Sequence, residues 1–187
     1  MAAVPRVEDL GDATHVRTPR GGLRVCNHIK NVQDGGRLVS QHGCVQSDES
    51  PVRFETKIAV LLRDDLEAWQ RLNVCAFVAS GIAAADPDAV GDPYVDADDT
   101  EYLAMFGQPV LVFEGSKETL RAAHTRALTR GVPMSIFTAD LFATGNDRDN
   151  RAAVRAVARA DLDLVGLAVH ARRNVVDKIL KGARMHA

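Results

Sequence analysis

Residues 138–150 carry the densest set of groups that could do chemistry. They read Thr-Ala-Asp-Leu-Phe-Ala-Thr-Gly-Asn-Asp-Arg-Asp-Asn, directly after the apolar run Pro133-Met134-Ser135-Ile136-Phe137. A hydroxyl (Thr144), two carboxylates (Asp140, Asp147) and an amide (Asn150) flank Gly145, whose bare backbone is open to approach. Such groups hold a small polar molecule by hydrogen bonds, and loops leaving strand ends are where α/β proteins place them. Two readings stand. In one, Asp140 caps a short helical turn, 144–147 is a turn, and 148–150 starts the next helix. In the other, the Thr144 hydroxyl, the Gly145 backbone and the Asp147 carboxylate converge on a small polar ligand. Thirteen residues with so little apolar content exceed what a turn requires.

Asn73 is a further candidate. It is a poor helix-interior residue with an amide free for a ligand, a cap or a structural bond. Cys75, between Val74 and Ala76-Phe77, has the surroundings of a small buried hydrophobe, with no nearby charge to make it a nucleophile. His124 reads as a surface histidine on a helix, His170 as the last residue of a strand, and His186 as part of a frayed tail. Cys26-x-His28 and His42-x-Cys44 form a mirrored pair of metal-ligand types, but one-residue spacing falls short of the usual two to four. No metal or cofactor is assigned. The sequence also lacks a dinucleotide fingerprint, a phosphate-binding P-loop, a nucleophile elbow and a zincin helix.

The elements that must position these residues are legible from about residue 53 onward. Lys57-Ile58-Ala59-Val60-Leu61-Leu62-Arg63 is a short apolar run bounded by charge, as in a buried strand. Asp64-Asp65 then caps a helix whose apolar positions are Leu66, Trp69, Leu72, Val74, Phe77, Val78 and Ile82. Its small residues permit close packing on a sheet. Residues 86–101, with six aspartates, read as a solvated connection. A second strand covers 109–114, and Ser116 opens a helix that Gly131 stops. A third strand covers 134–138, a helix 151–159 and a fourth strand 161–169. Asn174 caps a final helix over 175–184. The expected fold is one small α/β domain at 53–187, in two or three layers, with four strands in a mostly parallel, mixed sheet. Residues 1–52, rich in turn formers and without periodicity, read as a loosely ordered extension.

The whole chain has 187 residues and a net charge of −2, with 46% hydrophobic and 26% charged residues. Such a balance argues against nucleic acid or an anionic membrane as the main partner. No transmembrane run and no signal-peptide pattern occur, and the cysteines are few and odd in number, as in a reducing cytoplasm. The partners expected are a small polar ligand and a second copy of the chain in a homodimer.

Three stretches resemble peptidyl-tRNA hydrolase II domains: 57–66 with its small-residue helix, 127–136 with Gly131-Val132-Pro133, and Val176-Asp177-Lys178-Ile179. A closer resemblance is to an uncharacterised bacterial family, catalogued as domain of unknown function number two thousand and thought to share that fold. It is carried by Leu72-Asn73-Val74-Cys75-Ala76-Phe77, Gln108-Pro109-Val110-Leu111, Phe142-Ala143-Thr144-Gly145 and Asp177-Lys178. The resemblance implies a small four-stranded mixed sheet with helices on both faces, over about 54–186. It also implies that the lysine, glutamine and histidine of the hydrolase's first helix are replaced here by Leu72, Ala76 and Ala79. None of these can move a proton or hold a phosphate. The hydrolase's loop pattern survives at most in Asp140 and Thr144. Residues 1–52 match neither family, and read either as a lineage-specific extension or as an upstream start codon taken as coding.

Overall fold

The computed structural model describes residues 52–186. The Cys26/His28/His42/Cys44 pair and nearly all of the expected N-terminal extension lie outside them. Strand β1 (Thr56–Arg63) is the centre of the fold, and Ile58, Ala59, Val60, Leu61 and Leu62 are all buried. Because successive side chains alternate, Ile58, Val60 and Leu62 join one core and Ala59 and Leu61 another.

Helix α1 (Ala68–Ala85) covers the first core with Val74, Val78 and Ile82. Its start differs from expectation. Asp64 and Asp65 form a turn, and Glu67 is the cap, in a reciprocal box with Gln70. Helix α2 (Lys117–Thr129) and the short α4 (Arg173–Ile179) cover the second core with Leu120, Ala123, Ala127, Val176 and Ile179. Ser116 caps α2 by accepting from the Thr119 N–H, and Gly131, at φ 63°, carries the chain out of it. Helices on both faces were expected, and both faces are covered.

The main sheet has five strands, ordered β5-β6-β1-β4-β7, where four were expected. These are β4 (Val110–Gly115), β5 (Met134–Thr138), β6 (Leu164–Arg172) and β7 (Arg184–Met185). The added strand arises because α4 stops at Ile179, well short of residue 184. Gly182, at φ 95°, then returns the chain alongside β4. Asn174 lies inside α4 and caps nothing; Arg172 holds the cap position.

The sheet is mixed, but only β1 and β4 pair in parallel; the other three pairings are antiparallel. The reason is local. After β5 the chain stays at one edge of the sheet, where Ala139 N–H donates to the Asp163 carbonyl at 2.8 Å, so β6 must run back. Residues 86–101 also hold more structure than expected. Asp96 accepts from the N–H groups of Asp98 and Thr100 and from the Tyr102 hydroxyl. These bonds close a ribbon of β2 (Tyr94–Val95) and β3 (Glu101–Tyr102). They also hold the Asp96 carboxyl below its ordinary pKa, the Thr100 N–H being the largest cause.

Candidate functional site

The candidate segment is built at the edge of the sheet where β1, β4 and β5 end. Past Thr138 the chain makes a 3-10 turn (Ala139–Ala143), extends through Thr144, and enters α3 (Asp147–Arg155). Helix α3 starts earlier than the expected 151–159 because Asn146 caps it, accepting from the Asp149 N–H at 3.0 Å while its amide donates to Asp149 Oδ2 at 2.8 Å. The Thr144 hydroxyl points back into the segment. It meets the Leu141 carbonyl at 2.9 Å and also Asn150 Oδ1, so the turn and the helix share one side-chain link.

Facing this segment is one stripe of α1. Trp69, Asn73 and Phe77 are spaced four residues apart and stand on a single side of the helix. The parallel stripe Val74, Val78 and Ile82 faces the core. Between stripe and segment lies a cleft of about 340 Å³, within the size range of small-molecule sites.

The cleft has two kinds of wall. One is aromatic: Trp69 meets Phe142 at 5.6 Å, Phe142 meets Phe137 at 5.0 Å, and Phe137 meets Phe77 at 5.6 Å, all edge-on or tilted. The other is polar, made by Thr144, Gly145, Asn146, Asp147 and Asn150, with Asn73 of α1 across from them. Five of the six expected residues therefore share one cleft. The sixth, Asp140, is exposed, lies outside it, and caps nothing, since Thr138 holds the cap position of that turn.

Asn73 is mid-helix and exposed, not a cap, and its amide has no hydrogen-bond partner among the described residues. Asp147 is exposed and accepts from Arg151 Nε at 2.8 Å, one turn along α3. A paired, solvated carboxylate is a recognition group rather than a proton shuttle. Sequence reasoning missed Asn146 and the four rings. The signal for the rings was the spacing of Trp69, Asn73 and Phe77, which sets two of them beside the polar residue instead of in the core.

The other candidates sit elsewhere. Cys75 is half-buried against the first core, and burial pushes its thiol pKa up, away from nucleophilic use. His124 is buried, contrary to expectation, because α2 packs that side of itself inward. His170 is not the end of its strand, since β6 continues to Arg172. It pairs with Ile58, near the edge opposite the cleft, whereas Thr138 pairs with Leu164. Six strand residues separate those ends by roughly 20 Å. His170 Nδ1 donates to Asp86 Oδ2 at 2.8 Å, and Nε2 accepts from the Gln108 amide at 3.0 Å. Gln108 Oε1 in turn accepts from the Thr56 hydroxyl at 3.0 Å. Both ring nitrogens are thereby used within the fold.

Among the described residues, no group of three or more His, Cys, Asp or Glu side chains could hold a metal ion, and no helix is long and apolar enough to cross a membrane. No curated protein matches the chain. A solved structure of a protein of unknown function from Agrobacterium tumefaciens strain C58 is 44% identical, with a TM-score of 0.70. The match covers 72% of this chain and 100% of that one. Residues 56–187 match the family described as "Protein of unknown function (DUF2000)", and the chain belongs to that family.

Proposed function

We propose that the domain at 53–187 binds a small polar ligand in the cleft between α1 and residues 139–150. One observation carries this reading: the Asn73 amide, without a hydrogen-bond partner among the described residues, stands in the stripe between Trp69 and Phe77 and opposite the Thr144–Asn150 wall. Four rings offer flat apolar surface, and the opposite wall offers amides, a backbone stretch and one carboxylate. A planar molecule with a hydrogen-bonding edge fits both walls. Binding ranks ahead of catalysis because the cleft's one carboxylate is solvated and salt-bridged.

The test is a thermal-shift screen of the full chain against small polar metabolites. At least one planar compound is expected to raise the melting temperature. Asn73→Ala, which removes no hydrogen bond among the described residues, is expected to abolish that shift without lowering the unliganded stability, since alanine is the better helix former. A screen without hits, or hits undiminished in Asn73→Ala, sinks the reading.

A second reading is a non-catalytic interaction module, including a homodimer. It is favoured by Trp69, Leu72 and Phe77, which are 60%, 74% and 51% exposed on one helix. A peptidyl-tRNA hydrolase II-like arrangement is part of the proposal, supported by the parallel β1–β4 pair and by helices on both faces. Hydrolysis of a charged tRNA ranks third, because Leu72, Ala76 and Ala79 replace the polar groups of that enzyme's first helix. A cytoplasmic setting without nucleic acid fits the charge balance.

A further inference from the structure

A second concavity, of about 590 Å³, lies on α2, away from the cleft and independent of it. It runs along α2 past Arg121, His124 and Thr125 to the turn holding Arg159 and Ala160. Arg121 Nη2 donates to the Ala160 carbonyl at 2.9 Å, which ties that turn to the helix and sets the groove's width.

Three groups that can carry positive charge therefore border one groove, and no carboxylate is among its lining residues. Among the described residues Arg159 has no ion-pair partner. Glu118, one turn before Arg121 and outside the lining, accepts from the Ser116 hydroxyl at 2.7 Å and feels the Arg121 charge only as a minor influence. His124 is only 7% exposed and lines the groove; among the described residues its ring has no hydrogen-bond partner, and its nitrogens are not sealed from solvent. An imidazole nitrogen that opens on a groove can give its N–H to what fills that groove. Burial, and then the Arg159 charge, push its pKa below the ordinary histidine value, so near neutral pH the ring is uncharged with one N–H to give.

We propose that this groove binds the phosphate group of a small molecule, with Arg159 and Arg121 as its counter-charges and His124 as a buried hydrogen-bond donor. Guanidinium forks match the oxygens of a phosphate, and a dianion offsets the charge gathered there. Thr125 and Thr129, whose hydroxyls donate to the carbonyls one turn back at 2.9 Å, can turn to the same oxygens. The groove is larger than phosphate itself, which leaves room for the organic part of a phosphate monoester.

The test is a titration of the full-length protein with inorganic phosphate, followed by NMR of the His124 ring nitrogens and by thermal shift. Saturable movement of the His124 signals is expected, with a rise in melting temperature. Arg159→Gln and Arg121→Gln are each expected to weaken binding about tenfold or more, Arg159→Lys less, and Asn73→Ala not at all. Succinate, a dianion without a phosphoryl centre, is expected to bind more weakly. Static His124 signals up to roughly 50 mM phosphate, binding unaffected by both glutamine variants, or succinate matching phosphate would each overturn the proposal. Circular dichroism on the folded Arg159→Lys variant separates lost binding from lost structure.

Discussion

Thr138 sits at the junction between core and site. Its side chain is fully buried, and its hydroxyl has no hydrogen-bond partner among the described residues. A buried hydroxyl left unpaired costs about 1–3 kcal/mol relative to one in water. Valine has nearly the same shape and no polar atom. Thr138→Val is therefore expected to raise stability by about 1 kcal/mol, read as a higher urea midpoint at unchanged slope. A lower midpoint would mean that the hydroxyl is satisfied after all. The contrast with Thr144 shows what a sequence can reveal at this scale. Both threonines flank the same polar segment, and sequence alone picks out Thr144, Asn150 and Asn73 as polar residues where polarity is unusual. It does not say which hydroxyl is already engaged, because Thr144 reaches Asn150 only once α3 is capped by Asn146. The rings were harder to see. Phe137 and Phe142 carry ordinary core residue types, and only their apposition to the exposed stripe of α1 makes them a wall.

At the scale of elements, α1 approaches the sheet so closely that glycine is required beneath it. A Cβ added at Gly166 of β6 would stand 2.3 Å from Val74 Cγ1, a core atom, while its contact with Leu62 would be ordinary. Relief needs a shift of the helix or an off-rotamer valine. Gly166→Ala is expected to destabilise by about 1–3 kcal/mol. Gly145→Ala in the cleft segment, where a Cβ meets nothing within 4 Å, is expected to change stability by less than about 0.5 kcal/mol. Equal effects in chemical denaturation would refute the close-packing account. This approach was partly legible, since the small residues of α1 announce it. Strands β1, β4 and β5 and helix α2 also follow from local patterns: a continuous apolar run, a serine cap, a glycine stop. The antiparallel return of β6 and the edge strand β7 do not. Direction depends on which edge the connection occupies, and β7 is two residues held by a partner far away in sequence.

For the molecule as a whole, two carboxylates join elements that packing alone leaves apart. Glu114 on β4 accepts from Arg71 of α1 at 2.8 Å and from Arg184 of β7 at 2.7 Å. Asp163 meets Arg63 of β1 at 2.8 Å and Lys117 of α2 at 2.7 Å. Arg71 also donates to the carbonyls of Leu66 and Asp64, so the helix start, the turn after β1 and the C-terminal strand share one guanidinium. Both carboxyl pKa values are lowered: Glu114 chiefly by the hydrogen bond from Arg184, then that from Arg71; Asp163 chiefly by that from Lys117. A lowered folded-state pKa means that the unfolded chain binds the proton more readily, so these groups favour folding above their ordinary values of 4.5 and 3.8. The contribution fades as pH falls below those values and is gone once the folded-state groups are protonated. Wild-type stability is thus expected to fall as pH drops below 4.5. Glu114→Gln is expected to be less stable than wild type at pH 7 and to lose less on acidification, so the two curves converge at low pH. Urea melts from pH 7 to pH 3 would measure this, and parallel curves would show that Glu114 does not hold the C-terminal strand to the domain electrostatically. On the proposed binding reading the same clamp bears on the cleft, because Arg71 lies two residues from both Asn73 and Trp69 on α1. Loosening it is expected to blur the stripe on which the cleft depends, so ligand-induced stabilisation should weaken in Glu114→Gln before the domain itself unfolds.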